Sequence, residues 1–464
     1  MPVCNRLVRI VLTAVALALL PLSGAQAQEV VRQGAPPEVR ALVDAVVKAL
    51  NDSADAWEAL AKERFTPALL KQQSAADRRA QHQKVRADLG TVKFERATRM
   101  GPDAPLELHL NGATGATATV TLEIDDSTPL KVTSLKIETR AKGDETRPGG
   151  FRPPITSAMS ADELTNALGG FLSTLTADDT FSGVVLVARN GAPVFHRAYG
   201  LADRANRVPN TIRTRFNIGS INKTFTQMAI GMLVAEGKLA PTDTLAKFLP
   251  DYPQATSRTA TVQQLLTHSA GIADFFGPAF TAAPKDRFRS NADYARHVGS
   301  LPPTFAPGER RQYCNGCYIL LGAIIERASG MPYEQFVAER IFKVADMAST
   351  GYPQVDAIEP DIAIGYTRRS GADGSLRSNV YLHGASGSAA GGGYSTASDL
   401  LAFVNATRAG RLPKGEGGMA IAGGAPGTSA VVEAGREWTV IVLTNLDPPT
   451  GEQIGVAIME ALSR

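Results

Sequence analysis

The sequence predicts a protein of the α/β class with two domains: a small N-terminal α+β domain, then an antiparallel sheet flanked by helices with a mostly helical lobe. Two observations predict the larger domain. Strand-like runs occur near both ends of residues 157–464, and the long stretch between them has a mainly helical pattern. A third observation, helical periodicity followed by short alternating runs before residue 141, predicts the smaller domain. We therefore expect a helical lobe inserted between strands of one sheet, with a cleft beside it.

The first 27 residues have the pattern of a secretory signal peptide. Arg6 and Arg9 precede an apolar run at 10–22, and the small-residue sequence AQA at 25–27 is typical of a cleavage site. The apolar run is short for a membrane span, and no later apolar segment approaches the length of a membrane helix. We therefore expect no membrane span in the mature chain, and a periplasmic or secreted location.

Composition argues against several classes of function. Removal of the leader leaves 437 residues with a formal charge of +1, which gives no support for binding to nucleic acid or to a membrane surface. The six histidines form no HExxH motif and no close pair, so we predict no metal site and no cofactor. The oligomeric state is not indicated by the sequence.

Residues 28–141 are the predicted N-terminal domain. Helical periodicity extends from about residue 37 to residue 89. Four strand-like runs separated by turn residues follow, at 93–100, 106–112, 116–124 and 131–140. The next segment, 142–156, is polar, contains Pro and Gly, and has no periodicity, which predicts an interdomain linker.

The second domain, residues 157–464, is predicted to begin with a helix and a hairpin. Ser160 and Glu163 have the spacing of a capping box, and Asn190-Gly191 between two apolar runs is typical of a type I′ hairpin turn. Near the C-terminus, two runs at 427–434 and 437–446 predict two more strands, and a helix from about residue 452 to residue 462 closes the chain.

The sequence FNIGSINKTF at 216–225 places Ser220 and Lys223 three residues apart, where a glycine gives way to a helical pattern. Residues at this spacing lie on one face of a helix, so the hydroxyl and the amine point into the same space. This is a suitable layout for a nucleophile and its base. On spacing alone, a serine at a helix start and a solvated lysine remain the alternative.

Three further segments bear on this choice: QLLTHSAGI at 264–272, the run at 305–337 that contains QYCNG, and GGGYSTASDLLAFV at 391–404. Together with FNIGSINK, they resemble the serine β-lactamase and penicillin-binding protein superfamily, in particular its class C-like esterases, D-amino-acid peptidases and carboxypeptidases. The resemblance covers roughly residues 160–464. It implies a β-lactamase/transpeptidase-like fold and a serine hydrolase.

The resemblance also implies roles for particular residues. Ser220 would attack a carbonyl carbon to form an acyl-enzyme, and Lys223 would accept its proton. Tyr313 and Asn315 match the family's Tyr-x-Asn element, in which a phenol passes a proton to the leaving group and an amide binds the substrate carbonyl and holds the lysine. Gly424 would offer a backbone N–H that joins that of Ser220 in an oxyanion hole.

The third family element departs from the pattern. Ile421-Ala422-Gly423 occupy the positions where the resemblance would place Lys-Thr-Gly or His-x-Gly. Without a cationic or imidazole side chain there, a substrate carboxylate loses its partner, so we expect neutral acyl esters to be preferred to β-lactams and D-Ala-terminated peptides. We expect His268 to be a structural hydrogen-bonding residue rather than a base.

Three function hypotheses follow. The first is an exported serine hydrolase that acts on small esters, amides, D-amino-acid peptides or β-lactams. The second, favoured by Ile421 and by the short segment 410–426, is a catalytically weak or inactive penicillin-binding-like protein that binds peptidoglycan or peptides. The third, a thiol-disulfide oxidoreductase, comes from Cys314-x-x-Cys317, but a Pro-rich loop rather than a strand precedes this motif. In an oxidising compartment the two cysteines could instead form a local disulfide.

Overall fold

The computed structural model describes residues 37–98, 105–125, 127, 129–140, 151–369, 375–413 and 420–463. The predicted signal peptide lies outside the described residues. The chain divides into two compact units, Met1–Glu145 and Thr146–Arg464. The predicted domain boundaries stay predictions. Within the described part of the chain, no helix is both long enough and apolar enough to cross a bilayer.

Four helices followed by a four-stranded sheet make up the first unit. The helices are α1 (Pro37–Asn51), α2 (Ala54–Arg64), α3 (Pro67–Gln72) and α4 (Ala75–Leu89), and the strands are β1 (Val92–Thr98), β2 (Leu106–Gly112), β3 (Thr117–Ile124) and β4 (Val132–Arg140). The strands are antiparallel in the order β1-β2-β3-β4. Leu42 and Val46 on α1 pack with Leu108 and Val120 of the sheet in one buried cluster. The predicted helices and strands of this unit are confirmed.

A five-stranded antiparallel sheet forms the frame of the second unit. Its strands are β5 (Gly183–Arg189), β6 (Ala192–Tyr199), β13 (Ala420–Ala425), β14 (Thr428–Ala434) and β15 (Trp438–Thr444), in the order β13-β14-β15-β5-β6. The hairpin between β5 and β6 turns at Asn190 and Gly191, whose φ angles of 50° and 80° match the predicted type I′ turn. The first and last parts of this unit therefore pair in one sheet, as the sequence predicts.

Helices cover one face of this sheet and the helical lobe covers the other. Val185 and Val187 of β5 pack with α5 (Ala161–Ala177) and α14 (Thr450–Leu462), whereas Val184 and Leu186 belong to the main core cluster. Both sets are buried because successive side chains of a strand point to opposite faces. Each such side chain contributes roughly 1.5 to 3 kcal/mol on burial. The predicted class, an antiparallel sheet flanked by helices, is confirmed.

The segment between β6 and β13 contains the helical lobe. Its strands are short: β7 (Leu201–Asp203), β8 (Val208–Pro209), β9 (Phe216–Asn217), β10 (Tyr366–Thr367), β11 (Arg377–Ser378) and β12 (Tyr394–Ser395). Its helices are α6 (Asn222–Ala235), α7 (Leu245–Phe248), α8 (Val262–Leu266), α9 (Pro278–Ala282), α10 (Asn291–Gly299), α11 (Asn315–Ser329), α12 (Tyr333–Val337) and α13 (Ala397–Arg408). Helices α6 and α11 are buried along much of their length and pack against each other in the main core cluster. They therefore give rigid support to the residues at their first turns.

Residues 151–156, which the sequence assigned to the linker, pack within the second unit. Phe151 is 7% exposed and Ile155 is 4% exposed, and both lie in the cluster that includes Leu164 and Leu168 of α5. Residues 142–150 of the predicted linker lie outside the described residues, whereas Phe151 and Ile155 belong to the core of the second unit. Two apolar side chains in an otherwise polar segment were the signal for this.

We expect a truncated chain that begins at Thr146 to be more stable than one that begins at Ser157. The shorter chain loses the burial of Phe151 and Ile155, each contributing about 1.5 to 3 kcal/mol. Urea unfolding followed by circular dichroism would measure the difference in the free energy of unfolding. Equal unfolding midpoints and slopes for the two chains would show that residues 151–156 add nothing to the core.

Candidate active site

Ser220 lies in a tight turn against an edge strand of the sheet. It belongs to a 3-10 turn, Gly219–Ile221, that runs directly into α6, so it precedes the first α-helical turn rather than lying within it. Gly219 has φ of 51°, a conformation that favours glycine. A Cβ on Gly423 of β13 would lie 2.0 Å from the carbonyl oxygen of Ile218. Glycine at both positions allows the strand to approach the Ser220 turn this closely.

The side chains predicted to carry the chemistry converge on the hydroxyl of Ser220. Its Oγ lies 3.0 Å from Nζ of Lys223 and 2.7 Å from the phenol oxygen of Tyr313. Tyr313 is far away in sequence and comes from the segment that precedes α11. The structure therefore brings together Ser220, Lys223 and Tyr313 in one hydrogen-bonded group.

Lys223 is buried and its amine has two carbonyl acceptors besides Ser220. Lys223 is only 6% exposed. Its Nζ donates to Oδ1 of Asn315 at 2.8 Å and to the carbonyl oxygen of Ala390 at 2.6 Å. A neutral amine has two N–H donors and one lone pair. In the protonated amine the third N–H donates to Ser220 Oγ, and in the neutral amine, with both donors engaged by the carbonyl oxygens, the lone pair takes that place. This is the geometry that a proton acceptor for Ser220 requires.

Burial also favours the neutral form of this amine. It lowers the pKa of Lys223 from 10.5 to about 7, and the carboxylate of Asp274 opposes part of this effect. Tyr313 is 55% exposed, yet partial desolvation raises the pKa of its phenol, against the effect of its hydrogen bond with Ser220. At neutral pH the group therefore contains an amine that can accept a proton and a phenol that keeps its own.

A disulfide holds the segment that presents Tyr313 and Asn315. Cys314 and Cys317 are bonded to each other, and the sulfur of Cys314 accepts the backbone N–H of Cys317 at the start of α11. Both cysteines are buried, at 4% and 0% exposure, and the described segment before them is a loop without a strand. An oxidoreductase needs an accessible thiol, so the buried disulfide argues against that hypothesis.

Asp274 is a member of this group that the sequence reasoning missed. Its Oδ2 accepts the side-chain N–H of Asn315 at 2.8 Å and the backbone N–H of Asn315 at 3.3 Å. Its Oδ1 accepts the backbone N–H of Phe276 at 2.9 Å. It lies just past the QLLTHSAGI segment, and nothing in its local sequence indicates a contact 41 residues away.

Gly424 lies next to the nucleophile turn, on strand β13. A Cβ on Gly219 would be 2.8 Å from the backbone nitrogen of Gly424. Ser220, Asn315 and Gly424 all line the same cavity. The backbone of Gly424 therefore lies beside the Ser220 turn, at the wall of the same cavity.

His268 makes the structural hydrogen bond that the sequence predicts. Its Nδ1 accepts the backbone N–H of Cys314 at 3.2 Å, and its ring packs between those of Tyr313 and Tyr318, with centroid distances of 4.9 and 5.1 Å. Burial, together with the nearby Lys223, lowers the pKa of His268 to about 4. The imidazole is therefore neutral at physiological pH and supports Tyr313 from behind.

A cavity of about 650 Å³ opens beside Ser220. Aromatic and aliphatic side chains form much of its wall: Phe275, Phe276, Tyr294, Pro353, Val355 and Pro448. Gly391 and Gly392, in the loop before α13, also line it. Among the described residues that line this cavity there is no Lys and no Arg, whereas Glu452 and His383 are present, and burial lowers the pKa of His383 and so favours its neutral form.

Ile421 does not take the place of a cavity-lining cation. Its side chain is half-buried and packs against the main core cluster, while the neighbouring Ala422 is exposed and lines the cavity. Ile421 pairs with Val432 of β14, and Ala422 pairs with Val431. On this strand Ala422 and Ala425 both have a side chain and line the cavity, and Ala422 is the exposed one of the two.

A protein-family model for the Beta-lactamase family matches residues 171–420, which is more than half of the chain. The match includes the segments that carry Ser220, Lys223, Tyr313, Asn315 and Asp274. It ends at the first residue of β13, before Gly424. The comparison thus covers most of the group described above.

Two curated bacterial proteins illustrate the sequence similarity. The chain is 32% identical over 233 residues to a putative penicillin-binding protein, PbpX, of Bacillus subtilis, which covers 50% of this chain and 56% of that protein. It is 31% identical over 182 residues to a beta-lactamase of Escherichia coli, covering 39% and 46% of the two chains. The chain thus spans about half the length of the curated relatives it matches.

Solved structures show the same fold. A penicillin-binding protein from Bacillus halodurans superposes with a TM-score of 0.56 at 28% identity, over 62% of this chain and 98% of that one. A D-amino acid amidase from Ochrobactrum anthropi superposes with a TM-score of 0.53 at 21% identity, over 64% and 98% of the two chains. The second likeness bears on the fold alone.

Proposed function

Because the chain belongs to the Beta-lactamase family, whose members share a serine hydrolase fold, we propose that it hydrolyses small neutral acyl esters through an acyl-enzyme on Ser220. The observation that carries the proposal is the contact of Ser220 Oγ with Lys223 Nζ, at 3.0 Å, in a site where burial lowers the pKa of this lysine to about 7. A serine is a weak nucleophile unless an adjacent base accepts its proton, and a neutral buried amine can do so.

In the proposed acylation step, Ser220 Oγ forms a bond to the acyl carbon while its proton passes to Nζ of Lys223. The carbonyl oxygen takes on negative charge, which the backbone N–H groups of Ser220 and Gly424 would stabilise. The bond between the acyl carbon and the leaving alcohol then breaks. Tyr313, 2.7 Å from Ser220 Oγ, is placed to relay the proton from Lys223 to the departing oxygen.

Deacylation reverses the same proton path. A water molecule attacks the acyl carbon and gives a proton to the Lys223 and Tyr313 pair. The bond from the carbon to Ser220 Oγ then breaks, and the pair returns that proton to Oγ. The products are the carboxylic acid and the regenerated serine. The disulfide of Cys314 supports this step by holding the segment that contains Tyr313.

The preference for neutral esters rests on the cavity wall. Its described residues include several apolar side chains, the acid Glu452 and His383, whose pKa burial lowers, with no Lys or Arg. A carboxylate that enters such a site loses its hydration without gaining a cationic partner, which disfavours binding. A neutral acyl group gains from contact with Phe275, Phe276 and Val355. The leader sequence with Arg6 and Arg9 supports the further proposal that the enzyme is exported.

We expect kcat/KM for p-nitrophenyl butyrate to exceed that for a chromogenic cephalosporin. The Ala422→Lys variant should raise the cephalosporin-to-ester ratio by about tenfold or more, since one charge-assisted hydrogen bond contributes roughly 1.5 to 3 kcal/mol. Ala422 is the position to change because it is exposed and lines the cavity. The measurement is kcat/KM for both substrates at one pH and salt concentration.

The matched control is Ala422→Met, which adds a side chain of similar length without charge and should leave the ratio unchanged. Wild-type protein that hydrolyses the cephalosporin more efficiently than the ester would refute the substrate preference. Protein that binds these compounds and hydrolyses neither would favour the alternative, a penicillin-binding-like protein without turnover.

A further inference from the structure

The amide of Asn315 lies between two groups of different hydrogen-bonding character. Its Oδ1 accepts from Nζ of Lys223 at 2.8 Å, and its Nδ2 donates to Oδ2 of Asp274 at 2.8 Å. An ionised carboxylate can only accept hydrogen bonds, and an amide has one donor end and one acceptor end. Asp274 therefore selects the orientation of this amide, because only Nδ2 can face it.

The orientation of Asn315 determines where the lone pair of Lys223 points. With Oδ1 toward the amine, Asn315 takes one N–H of Lys223 and the Ala390 carbonyl takes another, so the lone pair is left for Ser220. If the amide turned around, its Nδ2 would donate to that lone pair and compete with the Ser220 hydroxyl. The reversed amide would therefore weaken the base.

We propose that Asp274 is a positioning residue for the acylation machinery, fixing the Asn315 amide so that the amine of Lys223 stays directed at Ser220. The inference rests on the proposed function and adds a residue outside the Ser-x-x-Lys and Tyr-x-Asn elements. It also connects the machinery to the cavity wall, because Oδ1 of the same carboxylate holds the backbone N–H of Phe276 at 2.9 Å.

The charge of Asp274 has a second consequence, for the pH at which Lys223 titrates. Apart from Asp274, the titratable described groups near this amine are the phenol rings of Tyr313 and Tyr318, at 4.9 and 5.6 Å from Nζ, and His268 behind them. Both tyrosines have pKa values raised by burial and His268 has a pKa of about 4, so all three are neutral at pH 7. Arg311 is a more distant cation that acts on His268 and Tyr318.

Asp274 is the acid that acts on Lys223, and its negative charge raises the pKa of the amine against the larger effect of burial. Removing this charge therefore lowers the pKa of Lys223. If the neutral amine is the active form, the acidic limb of the pH profile of kcat/KM then moves to lower pH. A residue that only supported the fold would not move this limb.

The test compares Asp274→Asn with wild type, using p-nitrophenyl butyrate from pH 5 to pH 9. We expect kcat/KM at pH 8 to fall about 10-fold to 100-fold, with most of the loss in kcat, as for other residues that orient a functional group. We also expect the acidic limb to shift down by about one pH unit. Asp251→Asn, a change of the same type at an exposed position, should alter neither quantity.

Two further variants separate charge from structure. Asp274→Glu keeps the negative charge, so the acidic limb of its kcat/KM profile should stay at the wild-type pH, even if its kcat is lower. Asp274→Ser, a smaller neutral residue that can still accept the N–H of Phe276, should shift the limb as Asp274→Asn does. Thermal unfolding of each variant identifies those that fold. One folded neutral variant, Asp274→Asn or Asp274→Ser, is enough to test the positioning role of Asp274.

An unshifted limb and a kcat within about twofold of wild type in a folded neutral variant would overturn the positioning role. That outcome would leave the proposed hydrolase function standing, provided that wild-type turnover still depends on Ser220. A neutral variant that raised only KM, with the limb unmoved, would also overturn it and would limit Asp274 to holding the cavity wall at Phe276.

Discussion

Ser220→Ala is expected to lower kcat for p-nitrophenyl butyrate by several orders of magnitude, on the order of the 10⁶-fold loss seen when a serine hydrolase loses its nucleophile. The change removes the hydroxyl oxygen that Lys223 and Tyr313 both contact, at 3.0 and 2.7 Å. The fold should be unaffected, because Ser220 is half-buried beside a cavity and its side chain fills little core volume. Initial rates over a wide enzyme concentration range would measure the loss.

Covalent labelling gives a second readout of the same change. A fluorophosphonate should label wild-type protein on Ser220, located by mass spectrometry of the peptides, and should not label the variant. Ser173→Ala, at an exposed position on α5, is the control and should keep full turnover and labelling. Label on another serine, or equal ester turnover by Ser220→Ala, would exclude Ser220 as the nucleophile.

Lys223 gives the second large effect. Both Lys223→Ala and Lys223→Arg are expected to lower kcat/KM by about 10²-fold to 10⁴-fold, the usual cost of losing a general base. Arginine keeps a positive charge but stays protonated at all accessible pH values, so it cannot accept the proton of Ser220. The pair of variants therefore distinguishes a base from a fixed cation. An arginine variant within about tenfold of wild type would show that charge, and not proton transfer, is what Lys223 supplies.

The wild-type pH profile tests the same role. Because burial lowers the pKa of Lys223 to about 7, kcat/KM should rise with pH and level off above this value. Below it the amine is protonated, and the rate should fall about tenfold for each pH unit. Lys238→Ala, which changes an exposed lysine, should keep the wild-type profile. A wild-type rate constant from pH 5 to pH 9 would be incompatible with a lysine base.

The features that the sequence predicts well are those set by residues close together in the chain. The Asn190-Gly191 turn follows from the two positive φ angles that this pair adopts readily. The capping box of Ser160 and Glu163 is likewise local, with Ser160 Oγ accepting the N–H of Glu163 and the carboxylate accepting the N–H of Ser160. The three-residue spacing of Ser220 and Lys223 needs only one helical turn to bring hydroxyl and amine together.

The linker and the strand at Ile421 show where local pattern misleads. Segment 142–156 is polar on average, but the two apolar side chains Phe151 and Ile155 find a cluster contributed by α5 and the sheet. Likewise, the resemblance implied that Ile421 stands where the family has a cation, yet its side chain packs against the core, and Ala422 lines the cavity. A strand's exposed face depends on what packs against it.

By itself, the sequence determined the class of the fold, the order of its elements and the pair Ser220 and Lys223, because periodicity, turns and caps depend on neighbours within a few residues. Tertiary structure alone decided that Asp274 meets Asn315, that the Ala390 carbonyl meets Lys223, and that aromatic side chains line the cavity. These contacts join segments 41 to 167 residues apart. The physical reason is that such contacts form only when the helical lobe packs against the sheet and brings distant segments together. The same packing desolvates Lys223 and lowers its pKa.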